Sequence, residues 1–354
     1  DAAHYFERSG DKAVRVAAHS EAISEYTAAL KVLGRSANPQ GQAQKELSLN
    51  RKIAAQIIGL RGIPTAEAIP YYKAAQDLSH ALCNHEEVVN AGWGLWSIHL
   101  MAAELDECLK VANALRLGLG NDASKTARLI VTYMLGVTHA YRGTLPEATF
   151  HLEGVAELYY EGMNEELYSR FGMNIGLTSD SFLAWVYALK GDEQLADAAT
   201  ASALTKARQD SNGLNTVFAH VFAATKCLFL GQVEAAGNHA HIALKGAEEM
   251  QFKQWIAQAK MQLARIADLR GDAGALAALQ RGLADHLATD NMVLARPYAQ
   301  VWIAEAMIRQ NRFGDALDVL DDLQTFTEKS KEQYLEVWAK EVRTLALEML
   351  ARDR

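Results

Sequence analysis

At 354 residues the chain would ordinarily divide into two or three closed cores, but half of its residues are hydrophobic and only 5 are proline, a balance that suits one long helical array. A net charge of -8 with a pI near 5.8 argues against nucleic acid as a main partner, because neutralising phosphates takes a basic stripe and none is present. No apolar run reaches the roughly 20 residues that span a bilayer, and no leader of charged then apolar residues opens the chain. Cys83, Cys108 and Cys227, widely spaced and odd in number, read as small buried hydrophobes in a reducing, cytoplasmic setting rather than as a disulfide framework. The chain opens at Asp1 within helical sequence and reads as the C-terminal piece of something larger.

In chain order, the apolar spacing predicts helices over 12–33 with a break near His19, then 41–61, 65–82, 85–102, 104–118, 122–141 and 145–158. After an interruption it predicts 179–190, 192–209, 214–230, 232–249, 251–270, 273–287, 293–311, 314–327 and 331–351. Asp122, Ser179, Asp192 and Asp272 stand where N-cap residues belong, and Gly143, Gly191, Gly231 and Gly271 follow helix ends.

The stretch from Ala184 to Ala316 carries a strict interval. Gly191, Gly231 and Gly271 lie 40 residues apart, as do Ala184, Ala224, Ala264 and Ala304 on the first helix of each unit. Twelve positions after each of these alanines come Ala196, Ala236, Leu276 and Ala316 on the second helix. Small residues recurring on both helices let two backbones approach closely, and self-similarity at a fixed period signals stacked helix pairs. Projected backwards, the second-helix column continues through Ala148, Cys108, Ala68 and Ala22, giving about eight units. Gly136 and Gly10 take the first-helix position, while Trp96 and Gln56 depart from the small-residue rule. The expected fold is therefore an all-α, right-handed solenoid of about eight antiparallel helix pairs filling residues 1–354 as a single domain.

Two stretches break the interval. Gly34 to Gln40 is a loop of Gly, Ser, Asn and Pro. Residues 159–178 (YYEGMNEELYSRFGMNIGLT) carry three glycines and four aromatics without a sustained helical period, and they are expected to be an inserted non-helical loop between the fourth and fifth units. It serves either as a packing insertion or as a flap that contacts a ligand.

Chemistry-bearing motifs are weak. Arg116 to Thr126 has glycines ahead of Lys125-Thr126, but Ser124 and Leu119 stand where a phosphate loop needs glycine, and a helix rather than a strand precedes it. His239 and His241 are two apart on a helix and diverge; His85-Glu86 lacks the second histidine of a zinc protease. His99 and His139 share one phase of adjacent units, which suits packing or a shared ligand. No serine or cysteine has a histidine partner, so neither catalysis, cofactor nor metal is expected. The remaining candidate is the face of the first helices, where Asn90, Trp93, Ser97, Met101, Tyr133, Val137, Tyr141, Trp185, Phe218, Thr225, Phe229, Met261 and Arg265 are expected to line a concave groove. Aromatics with a few polar and Arg neighbours are what peptide and protein contact surfaces favour.

The small-residue columns resemble the tetratricopeptide repeat family. A narrower resemblance spans nearly the whole chain. It is to the C-terminal repeat region of bacterial signalling proteins that join a class III adenylate/guanylate cyclase domain to a STAND-type ATPase domain, similar to maltose-type activators. His4-Tyr5-Phe6-Glu7 with Gly10 resembles that family's H-x-x-x-A-G entry, and Ala18 to Ile23 its S-x-x-E-A-I turn. Gly92-Trp93-Gly94-Leu95-Trp96 matches its W-G-L-W helix. Phe171 to Gly176 resembles its Y-G-x-D-x-G loop with Asn174 in the aspartate position, and Glu341 to Leu350 its closing helix with Leu347 in a glycine position. The resemblance implies a non-catalytic sensor that binds a protein, peptide or effector and regulates cyclase and ATPase domains placed before it. The alternatives are a small-molecule module closed by residues 159–178, and a purely structural oligomerisation scaffold.

Overall fold

The structure, a computed structural model, describes residues 2–16, 18–33, 39–61, 66–120, 123–210, 212–289, 293–294 and 296–353. Among them are α-helices and short 3-10 turns and no strand. The helices are α1 (Ala2–Arg15), α2 (His19–Leu33), α3 (Pro39–Arg61), α4 (Ile69–Ala81), α5 (His85–Met101), α6 (Leu105–Gly118), α7 (Lys125–Arg142), α8 (Leu145–Leu158) and α9 (Asn164–Phe171). They continue as α10 (Ile175–Leu189), α11 (Glu193–Gln209), α12 (Gly213–Phe229), α13 (Val233–Glu249), α14 (Lys253–Leu269), α15 (Ala275–Leu287), α16 (Arg296–Arg309), α17 (Phe313–Ser330) and α18 (Glu336–Arg352).

One reversal is reused along the chain. At Gly191 the backbone turns left-handed (φ 75°), and Asp192 N donates to Tyr187 O at 2.9 Å, which satisfies a carbonyl the helix end would leave open. The same bond recurs at Gln232 N to Cys227 O (2.8 Å) and Asp272 N to Ala267 O (2.9 Å). Asn311 and Gln251 adopt the left-handed conformation without being glycine, and Arg312 N and Phe252 N complete the bond there. Asp192 then caps the next helix by accepting from Leu195 N at 3.1 Å.

The small-residue columns mark helix crossings. Ala22, Ala68, Cys108, Ala148, Ala196, Ala236 and Ala316 are wholly buried. A methyl added to Gly136 would stand 2.7 Å from Leu152 Cγ and 3.2 Å from its backbone nitrogen, so α7 and α8 touch where a side chain would not fit. Hairpins α10–α11, α12–α13, α14–α15 and α16–α17 pack internally, and their first helices pack in sequence, α10 on α12, α12 on α14 and α14 on α16.

Several expectations are corrected. Helix α1 begins at Ala2, well before residue 12. Residues 159–178 are not a non-helical loop: a 3-10 turn over Glu161–Met163 leads into α9, which carries acidic Glu165 and Glu166 in its first turn and closes on Gly172 at φ 76°. Ser179 lies inside α10 rather than at its start. The cap is Asn174, which accepts from Leu177 N at 3.0 Å, while Ser179 donates to Leu152 O. Asp272 accepts from Gly274 N in the turn, and α15 starts only at Ala275. Cys83 is exposed, whereas Cys108 and Cys227 are buried free thiols. Residues 331–335 are not helical, and α18 starts at Glu336. The expected cap Asp122 and positions 34–38 of the expected loop lie outside the described residues.

Packing divides the array into two compact units, one formed by Asp1–Ala102 with Glu107–Met134 and the other by Ala103–Asp106 with Leu135–Arg354. Among the described residues no helix is long and apolar enough to cross a membrane.

Candidate functional site

In the first unit the W-G-L-W stretch sits on α5 because glycines alternate with tryptophans. A methyl on Gly92 would meet Leu115 at 2.6 Å, and one on Gly94 would meet the Tyr72 ring at 2.3 Å. The indoles of Trp93 and Trp96 lie 5.1 Å apart, and Tyr133 approaches them at 6.0 and 6.1 Å. Tyr133 is buried. Asn90, Trp93, Ser97 and Met101 are half-buried, and Asn90 Nδ2 donates to Glu87 Oε1 at 3.3 Å.

The second unit gathers the remaining candidates on the face of its first helices. Rings run from Tyr141 to Trp185 (5.1 Å), Phe182 to Phe222 (4.7 Å), Phe222 to Phe218 (4.5 Å, stacked) and Phe218 to Trp255 (5.5 Å). Edge-to-face and offset pairs of this kind each add about 0.5–1.5 kcal/mol beyond area burial. Phe182 and Phe222, which the sequence reading did not single out, complete the wall. Their spacing of three from Trp185 and four from Phe218 was the available signal. Val137 and Met261 are core residues, fully buried. Thr225 is also buried, donating to Val221 O and accepting from Gln262 Nε2 at 2.8 Å.

The face is occupied. After α17 the backbone turns left-handed at Lys331 (φ 63°), and Lys331–Leu335 crosses the first helices as a short non-helical segment that turns at Tyr334 and Leu335 before α18 begins. Gln333 N donates to Tyr141 O at 3.1 Å. The Tyr334 ring meets Trp185 at 4.6 Å and Tyr141 at 6.1 Å, and its backbone lies against Gly143. Four residues on, Trp338 Nε1 donates to Glu305 Oε1 at 2.9 Å and its ring meets Phe229 at 5.9 Å. The segment and the first turn of α18 together therefore touch α7, α10, α12 and α16. Burial and the neighbouring Glu332 carboxylate push the Tyr334 phenol well above its ordinary pKa, keeping it neutral.

Beneath Trp338 lies a charge network. Glu305 pairs with buried Arg265, which also donates to Asp268 at 2.8 Å, and Arg309 pairs with the same Asp268. The Arg265 guanidinium stands 5.9 Å from the Trp302 ring, and Trp302 packs on Tyr298 at 4.6 Å. Trp185 Nε1, Trp302 Nε1 and Gln262 Oε1 are buried with no hydrogen-bond partner among the described residues.

The insertion forms a polar cup of about 360 Å³ lined by Tyr159, Asn164, Tyr168, Asn174, Lys206 and Asp210, among others. Its polar atoms are engaged with one another. Tyr168 donates to Asp210, Asn215 Nδ2 donates to Asp210 at 2.8 Å, Asn212 N at 2.9 Å, and Tyr159 donates to Asn164 at 2.9 Å. Burial alone would raise the Asp210 pKa, but these hydrogen bonds outweigh it and hold the carboxyl below its ordinary range. Lys206 pairs with Asp180. The Phe171 to Gly176 motif gains a physical reading here: Gly172 closes α9, Asn174 caps α10, and Gly176 lies under the Tyr159 ring where a methyl would be 2.5 Å away.

Histidines meet across helices rather than along them. His239 Nδ1 lies 2.9 Å from His220 Nδ1, and burial with the facing imidazole depresses His220 to about 4. His139 bonds Thr144 Oγ1 at 2.7 Å and stacks on His151 at 5.7 Å. Among the described residues no three His, Cys, Asp or Glu side chains converge as metal ligands.

No family model matches the chain, and no curated protein sequence matches it. Solved structures do. A Rap protein crystallised in complex with Competence and Sporulation Factor aligns over 98% of this chain and 99% of its own, with a TM-score of 0.59 and 13% identity. The tetratricopeptide domain of P58(IPK) aligns over 99% of both chains at 13% identity with a TM-score of 0.32. The chain has an all-α fold of the tetratricopeptide-like solenoid class. At this identity the likeness is one of fold.

Proposed function

We propose that the chain is a non-catalytic recognition module whose second unit binds a peptide segment of a protein partner along the aromatic face of α7, α10, α12 and α16. The observation that carries the reading is the occupancy of that face by a non-helical segment and the helix start that follows it, which dock through one backbone bond to Tyr141 and the aromatic side chains of Tyr334 and, on α18, Trp338. Aromatic anchors seated against a packed face are what carry most of the energy in protein and peptide contacts. That a fold neighbour was solved with a factor bound is consistent with it. A small ligand held by the 159–178 insertion has less support, since the polar atoms of that cup already pair among themselves.

The test is a displayed peptide library selected on the full chain and counter-selected on Trp185→Ala. Enrichment of sequences with two spaced aromatics on the unaltered chain alone is expected; no enrichment over the variant removes the reading. Regulation of cyclase and ATPase domains on the same polypeptide in a bacterial, cytoplasmic signalling protein is a further part of the proposal, supported by the motif resemblances at Gly10, Ala18–Ile23, Gly92–Trp96 and Phe171–Gly176. The coding sequence ahead of Asp1 tests it: cyclase and ATPase motifs are expected there, and an unrelated or absent upstream reading frame removes that part.

A further inference from the structure

We infer that Lys331–Trp338 is a built-in competitor for the recognition face, and that a partner peptide enters by exchanging with it, presenting one aromatic at the Tyr334 position and a second, with an N–H donor, four residues later. The inference rests on the peptide-recognition reading and adds what the partner looks like and what holds it out. The arm defines the pattern by its own contacts. Tyr334 packs on both Tyr141 and Trp185, Trp338 reaches Glu305 and Phe229, and the Gln333 amide, bonded to Tyr141 O, supplies contact that any residue could make.

The arm itself buries Glu332, Tyr334 and Leu335, but the elements around it cover it unevenly. Helix α18, which follows it, wholly buries only Val342 and Ala346 while Val337, Leu345 and Leu347 remain exposed at 73%, 46% and 51%. A cavity of about 290 Å³ separates the arm from α17, lined by Leu320, Leu323, Thr327, Leu335 and Ala339 among others, so contacts are missing on that side. On the opposite side Trp185 Nε1 stays buried without a partner among the described residues, although the Tyr334 ring lies directly against its indole. An unmade bond to a buried donor costs about 1–3 kcal/mol, and a partner that supplies an acceptor there regains it.

A tethered arm acts at an effective concentration in the millimolar range. An arm whose own docking constant is about 10 µM then lowers a peptide's apparent affinity roughly 100-fold, because only the undocked fraction can bind.

The experiment titrates a fluorescent synthetic peptide of residues 331–340 (KEQYLEVWAK) into the full chain and into the full-length variant Trp338→Ala, with a control peptide in which both aromatics are alanine. The expected result is at least 10-fold tighter binding to Trp338→Ala than to the unaltered chain, with no binding of the control peptide. Equal affinity for both chains, abolished by Trp185→Ala, overturns the exchange and leaves the recognition reading standing. No binding to either chain, with hydrogen exchange showing residues 331–338 released in the variant, overturns both. Should Trp338→Ala fail to fold by circular dichroism, Trp338→Phe keeps the ring and loses only the N–H to Glu305; a severalfold gain in peptide affinity is expected, and an unchanged affinity overturns the exchange.

Discussion

Tyr334 stands edge to face on Trp185, ring centres 4.6 Å apart at 70°, so a residue just past α17 closes over the middle of α10. The indole N–H of Trp185 takes no partner in this contact among the described residues, and the pair is held by ring packing alone. A consequence is a separation between losing the ring and losing the donor.

Trp185→Ala is expected to cost about 3–5 kcal/mol of stability, as deletion of a buried aromatic does. Trp185→Phe keeps most of the apolar volume and sacrifices no existing hydrogen bond, so its cost is expected to stay within about 1.5 kcal/mol. Urea denaturation of both variants checks this. A Phe variant as unstable as the Ala variant would mean that the indole nitrogen is bonded after all.

Gly136 and Gly314 make a paired test of the small-residue columns. A methyl at Gly136 would press on Leu152, including its backbone nitrogen at 3.2 Å, so Gly136→Ala is expected to destabilise by about 1–3 kcal/mol despite the better helix propensity of alanine. At Gly314, in the first turn of α17, nothing lies within 4 Å of the added methyl, and Gly314→Ala is expected to stabilise by roughly 0.5–1 kcal/mol. Opposite shifts in melting temperature support the column argument; shifts of the same sign contradict it.

The His220–His239 pair sets a pH dependence. Both pKa values are lowered, His220 to about 4, chiefly by burial. The unfolded chain binds protons at these sites from its ordinary value of 6.5 downwards while the folded chain resists, so stability is fully present above 6.5 and falls as pH drops toward 4. Melting temperature measured across that window is expected to decline on acidification, and His220→Gln is expected to flatten the decline. His139 and His286, also lowered by burial, contribute a residual slope that the variant leaves in place.

Glu305 joins the arm to the charge network, accepting from Trp338 and pairing with Arg265, which is only 7% exposed. Glu305→Gln leaves that guanidinium with Asp268 as its remaining partner, shared with Arg309, and is expected to cost about 3 kcal/mol. The same variant is expected to speed hydrogen exchange at Trp338 before any change appears in α10. A stable variant with an unchanged arm would separate the network from arm docking.

The repeat was legible because its causes are local. Glycine at Gly191, Gly231 and Gly271 permits the left-handed turn, and a small residue at most crossings permits close approach, so both periods are written in residue type. Where other residues do the same work the signal vanished: Gln251 and Asn311 take positive φ without glycine, and residues 161–171 form helix within a glycine-rich stretch because their capping comes from Gly172 and their docking from Asp210. The aromatic face was partly legible, through Tyr141, Trp185, Phe218 and Phe229. Its occupant was not. Residues 331–335 carry helix-forming side chains and no Gly or Pro, and what keeps them out of a helix is tertiary contact with Tyr141 and Trp185, from elements far away in sequence.

The most direct test of a recognition face closed by its own arm is residue-resolved hydrogen exchange on the unaltered full chain. The account predicts that amides 331–338, including Gln333 bonded to Tyr141 O, exchange through local opening at least about 100-fold faster than amides in the middle of α10 and α12, and faster again when the 331–340 peptide is added. Protection of the arm equal to that of α10, unmoved by the peptide, would contradict it.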